Sequence, residues 1–248
     1  PEAPAAGRTA KVFFATDRRQ LPSGGELRFG RERTDPPGLH LGWERVALGP
    51  GHRLGKVDAA IAITPTHVQN ESAEGPRPNA LRRTDAEIAA FVETRLRPAI
   101  RSAPPLRAGR PRQVLVFIHG YNTTFDEAVR KTAQLAGDLE LVTCGGEMRG
   151  VSVAYSWPAQ GTLLSYLADE ENAEWTQQRL APFLQALARV CRQERAELNL
   201  VAHSMGARAL VRSLADLANA GEPHRREKLA DHVILLAPDI GRGLFDQY

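Results

Sequence analysis

Beyond residue 111, short, largely apolar runs alternate with longer segments whose apolar residues return every three or four positions. The runs at 114–118, 151–155, 198–202 and 232–237 read as strands, the first a continuous apolar run of the kind buried on both faces of a parallel sheet. The first helical face carries Phe125, Ala128, Val129, Leu135, Ala136 and Leu139, behind a capping box at Thr124 and Glu127. A second carries Leu180, Phe183, Leu184, Leu187, Val190 and Cys191, with Pro182 kinking or restarting it. The third holds Ala209, Leu210, Val211, Leu214 and Leu217. Upstream, residues 11–16 read as a strand closed by a polar turn through Ser23-Gly24-Gly25. Residues 43–48 alternate like a half-buried strand, broken by Gly49-Pro50-Gly51, and 59–63 add an edge strand. A polar loop is expected over 65–78. A helix then opens on a capping box at Thr84 and Glu87 and turns Ile88, Phe91, Val92, Leu96 and Ile100 inward. Strands alternating with helices through short links predict an α/β chain with a mostly parallel sheet.

Composition narrows this little. The 248 residues, 42% hydrophobic and 25% charged, suit one large domain over 11–248 behind a flexible segment at 1–10. The net charge of +3 comes from scattered arginines without interleaved aromatics, so no nucleic-acid partner is expected. Two cysteines, Cys144 and Cys191, show no metal spacing, and no cofactor is indicated. No apolar run is long enough to span a bilayer.

The chemistry gathers around Ala202-His203-Ser204-Met205-Gly206. An apolar strand ends there in a serine, with a small residue two before it and glycine two after, and a helix begins at once. That is the pattern of a nucleophile elbow, whose tight turn demands nearly bare flanking positions. In an open parallel sheet, ligands bind beyond the carboxyl ends of the strands. The other such ends carry His119-Gly120-Tyr121-Asn122, Ser156-Trp157-Pro158 and Pro238-Asp239. Acyl transfer needs a nucleophile, two N–H donors for the oxyanion, a base and an orienting acid. Ser204 supplies the first, and the Met205 and Tyr121 N–H groups the donors. His119, Gly120, Asn122, Trp157 and His203 are the expected substrate-facing residues. Asp239 stands at the correct edge as acid, or as an ordinary turn or cap aspartate.

Together Phe117-Ile118-His119-Gly120-Tyr121-Asn122, Ser156-Trp157-Pro158, Ala202-His203-Ser204-Met205-Gly206 and Leu236-Ala237-Pro238-Asp239 resemble the α/β-hydrolase family catalogued as domain of unknown function 900. Residues 13–18 and 49–55 are similar to that family's N-terminal region, and the elbow is similar to that of small bacterial lipases. The resemblance implies an α/β-hydrolase fold, with a twisted, mostly parallel sheet and helices on both faces. It also implies a serine hydrolase of small-molecule or lipid carboxylic esters.

One departure stands out. The family order is Ser, then Asp or Glu, then His, yet only 44 residues follow Ser204. His224 and His232 are the histidines among them, and both are expected at the far edge of the sheet. His119 and His203 lie at the correct edge, but their spacing fits loop packing. The chain therefore reads as lacking its last strands, with the base outside this sequence. A non-catalytic binding module and an acyltransferase are the rival readings. Two expectations complete the picture. Leu163, Leu164, Tyr166 and Leu167, in a loop at 159–169, form an apolar lip over the cleft or else pack a short core helix. The last strand is covered along its outer edge, by a second copy in a homodimer or by further residues.

Overall fold

The two-residue period of a strand sends alternate side chains to opposite faces of a sheet. The computed structural model describes residues 8–22, 28–48, 63–69, 80–143, 146–160, 165–219 and 228–241. In β1 (Arg8–Thr16), Phe13 and Ala15 enter one core, and Val12 and Phe14 the other. A hairpin of β2 (Arg18–Leu21) and β3 (Arg28–Arg33) follows, then β4 (His40–Leu48) and β5 (Ile63–Gln69). The remaining strands are β6 (Arg112–Ile118), β7 (Gly150–Ser156), β8 (Ala196–His203) and β9 (His232–Leu236). In β6, Val114, Val116 and Ile118 join the first core while Leu115 and Phe117 join the second.

The main sheet runs β5-β4-β1-β7-β6-β8-β9. The five strands from β1 to β9 are parallel, and β4 and β5 are antiparallel additions at one side. Helices α1 (Ala80–Phe91), α2 (Arg97–Ser102), α4 (Tyr166–Gln193) and α5 (Gly206–Asn219) cover the first face; α3 (Phe125–Asp138) covers the second. The expected architecture, a mostly parallel sheet with helices on both faces, is the one observed.

The long periodic segments match expectation closely. Thr124 accepts from the Glu127 N–H while Glu127 accepts from the Thr124 N–H, so the α3 capping box is complete. Ile88, Phe91, Val92, Leu96 and Ile100 are all buried, although α1 and α2 are joined by a π-helical turn at Val92–Leu96 ahead of Pro98.

Other expectations are corrected. The first helix begins at Ala80, so Thr84 lies inside it rather than capping it; Ala, Leu and Arg at 80–83 are all good helix formers. The expected loop at 65–78 begins as strand, because β5 runs through Pro65, which an edge strand tolerates. The first strand starts at Arg8, inside the segment read as flexible. The expected loop at 159–169 gives way to helix at Tyr166, and α4 then passes through Pro182 unbroken. The hairpin β2–β3 was not foreseen. It is pinned by Phe29, whose ring meets Phe14 at 5.8 Å and Phe125 at 4.6 Å. Ring pairs of this kind contribute about 0.5–1.5 kcal/mol each beyond simple burial. Residues 23–25, 49–51 and 59–62 lie outside the described residues.

At the opposite side of the sheet, β9 is outermost, and Val233, Ile234 and Leu236 are exposed. Among the described residues nothing pairs with its outer edge.

Candidate functional site

Strand β8 ends at His203, Ser204 and Met205 make the turn, and α5 starts at Gly206. Ser204 sits at φ 50°, the left-handed region that non-glycine residues seldom occupy. Such strain persists only where the surroundings enforce it. Here the Ser204 N–H donates to the Leu236 carbonyl at 2.9 Å, and the Ser204 carbonyl accepts from Ala207 at 3.0 Å and Asp239 at 3.1 Å. The serine is partly exposed and Met205 is fully buried.

Two glycines bring β6 against this turn. A Cβ on Gly206 would collide with the His119 carbonyl oxygen and stand 2.9 Å from that of Ile118. A Cβ on Gly120 would stand 2.9 Å from the Ser204 Cβ and 2.7 Å from His203 Nδ1. Gly120 therefore lies directly beside Ser204. Among the described residues, neither the Tyr121 nor the Met205 N–H has a protein acceptor. Two unclaimed donors flanking a strained serine, at the N-terminus of α5, form a setting that favours developing negative charge.

The remaining expected residues separate into two groups. His119 and Trp157 are fully buried, with rings stacked 5.0 Å apart at 11°. The Trp157 indole N–H donates to the His119 carbonyl at 2.8 Å. Burial, then the nearby Arg18 charge, holds the His119 imidazole well below its ordinary pKa, so the ring is neutral. Neither side chain is open to a substrate, which corrects that expectation: both brace the loop after β6 from beneath. Asn122 and His203 are exposed, and Asn122 has φ 52°. The Asp169 carboxylate accepts from the Gln160 N–H at 2.6 Å. Asp169, buried in the first turn of α4, thus ties the loop after β7 to that helix. Asp169-Glu170-Glu171 reads in the sequence as a run of solvated acids, and nothing in the letters marks Asp169 as the buried one.

Asp239 is at the expected edge, but its carboxylate is engaged. The Tyr166 hydroxyl donates to Oδ2 at 2.6 Å, and Arg208 lies 3.7 Å from Oδ1 while also pairing with Glu170. Tyr166 and Leu167 are exposed, and the Tyr166 ring meets Tyr121 edge-on at 6.0 Å. This half of the expected lip does stand beside the site, on a helix rather than a loop. Leu163 and Leu164 lie outside the described residues.

His232 pairs with Asn199, four positions down the sheet from the pairing of Leu236 with His203. That puts it roughly 13 Å from the site end of the strand. His224 lies outside the described residues. Among the described residues no hydrogen bond joins Ser204 to an imidazole, no acidic or His/Cys cluster could hold a metal, and no helix is long and apolar enough to cross a membrane.

Residues 102–248, more than half of the chain, match the family described as alpha/beta hydrolase of unknown function, domain of unknown function 900. The chain belongs to this family. The matched residues hold β6 to β9 and the Ser204 turn of this α/β hydrolase, whereas the likeness read at 13–18 and 49–55 falls outside them. No curated protein and no solved structure shows a significant match.

Proposed function

We propose that this α/β hydrolase is a serine hydrolase of carboxylic esters. The observation that carries the reading is the left-handed Ser204 at the β8–α5 turn, with Gly120 pressed against it. The Ser204 hydroxyl attacks the ester carbonyl and its proton passes to a base, a histidine outside the described residues. The tetrahedral oxyanion is held by the Tyr121 and Met205 N–H groups. Collapse expels the alcohol, which takes the proton back, and water then releases the acid from Ser204. Tyr121, Tyr166 and Leu167 line the approach and suit an apolar acyl group.

The second reading, a binding module that turns nothing over, draws on the lack of an imidazole bonded to Ser204 among the described residues. Labelling with a fluorophosphonate probe and turnover of p-nitrophenyl acetate, each compared with Ser204→Ala, separate the two. Labelling and turnover that vanish in Ser204→Ala support the hydrolase. Equal rates in both proteins leave only the binding module.

A further inference from the structure

The most deeply buried cation in the described structure is not at the surface of the cleft but beneath it. Arg18, at the start of β2, has no exposed surface. Its Nε donates to Ser156 Oγ at 2.9 Å, Nη1 to the Gly30 carbonyl at 3.1 Å and Nη2 to the Thr123 carbonyl at 2.6 Å. Nη2 also lies 3.3 Å from His119 Nε2. Burying a guanidinium costs several kcal/mol unless its donors are matched, so a site this complete has a reason to be kept.

The reason lies in what Arg18 does to His119. Arginine has only donors, so His119 Nε2 must accept from it. Ser156 points the same way: its hydroxyl already accepts from Arg18 Nε, which leaves its proton to offer His119 Nε2, 3.4 Å away. The neutral ring therefore carries its proton on Nδ1, 2.7 Å from the Gly120 carbonyl oxygen. The competing acceptor is the Trp157 carbonyl, 3.1 Å from Nε2. A proton on Nε2 would satisfy it, but would oppose N–H to N–H at Arg18 and leave the shorter Gly120 contact without a proton. The Nδ1–H form resolves two conflicts at the cost of one. Because the peptide group is planar and trans, a Gly120 carbonyl turned down to His119 turns the Tyr121 N–H the opposite way.

We infer that Arg18 is a positioning residue, which selects the Nδ1–H form of His119 and through it aims the Tyr121 N–H at the oxyanion. The inference rests on the serine-hydrolase reading for its consequence, but not for its geometry. Arg18 also grips the far end of the same loop at Thr123, so both ends of residues 119–123 are held by one side chain.

The test uses protein with 15N-labelled histidine. Long-range 1H–15N spectra distinguish the two imidazole tautomers, and fluorophosphonate labelling reports on the oxyanion donors. Wild type should show His119 as Nδ1–H. Arg18→Met should move the proton to Nε2 and slow Ser204 phosphonylation about 10²–10³-fold, as expected for loss of one oxyanion donor. Arg18→Lys should not restore the rate, since one ammonium cannot span the four contacts. Ser156→Ala, a milder change in case Arg18→Met fails to fold, should slow labelling roughly 2- to 10-fold, the worth of one hydrogen bond. An Nε2–H wild type overturns the inference on its own. So does a folded Arg18→Met protein with unchanged labelling, or full rescue by lysine. If wild type is never labelled while the tautomer still depends on Arg18, the hydrolase reading falls and the clamp on His119 stands.

Discussion

Gly206→Ala tests whether β6 and the serine turn are as close as the fold requires. The added Cβ would collide with the His119 carbonyl oxygen and stand 2.9 Å from the Ile118 oxygen and 3.1 Å from the His119 carbonyl carbon. All three are backbone atoms of the central strand and its exit, so no flexible side chain can swing away. Against this stands a gain in helix propensity of at most ~1 kcal/mol. Overpacking a tight site costs about 1–3 kcal/mol, and a rigid backbone obstacle places this case at the upper end. The expected net loss is about 2 kcal/mol, or roughly 4–8 °C in Tm for a domain of this size. Guanidinium unfolding should show a lower midpoint with an unchanged slope. Gly241→Ala is the control, because a Cβ there meets nothing within 4 Å. If Gly206→Ala matches or exceeds wild type in stability while folding to the same structure, the close approach of α5 to β6 is refuted.

Three further outcomes are expected. Glu44 is buried on β4, and one carboxylate oxygen has no donor among the described residues. Burial, then the Asp126 charge, raises its pKa from 4.5 to about 7. The folded state thus holds the proton more tightly, and stability should fall on the order of 3 kcal/mol as pH rises from ~4.5 to ~7. Asp17, raised from 3.8 to about 6 by burial, acts in the same direction. Glu44→Gln should match wild type near pH 4 and exceed it at pH 8 in denaturant titrations; parallel pH profiles would contradict this. Burial pushes the Cys191 thiol up to about 12, so in a Cys144→Ala background Ellman's reagent should react only on unfolding. Finally, the β9 edge should be covered in solution by the same strand of a second copy, with Ile234→Lys abolishing the dimer in sedimentation. A wild-type monomer whose β9 amides exchange freely would end that proposal.

The parts of this molecule legible in the sequence are those where one physical signal dominates. Strands β6 to β9 are short, largely apolar runs between helical segments, and α3 has a period and a cap that agree. The serine turn was legible because small residues at 202 and 206 are a steric demand visible in the letters themselves. The hairpin was not, since Arg28-Phe29-Gly30-Arg31-Glu32-Arg33 reads as a solvated charged run and its pairing depends on Phe29 finding Phe14 and Phe125. Arg18 was hidden for the same reason. In Asp17-Arg18-Arg19 nothing separates the guanidinium that is buried from the one paired at the surface with Glu32. His119 was read as facing the cleft because it stands at the carboxyl end of β6; position at a strand end cannot say which of two adjacent residues turns inward.

Strand β1 enters the sheet beside β7, and the Thr16 hydroxyl bonds the Ser156 carbonyl across 140 residues of chain. Closing so long a loop costs about 4 kcal/mol by the (3/2)RT ln n relation, before any contact repays it. The crossovers joining β6, β7, β8 and β9 are far shorter and can close early. A chain made from its N-terminus therefore synthesises β1 long before β7 and seats it late, once residue 156 has emerged. Arg18 travels with that strand. The sheet around Ser204 can be built from the later half of the chain, but the loop beside the serine acquires its fixed shape only when β1, made long before, comes home.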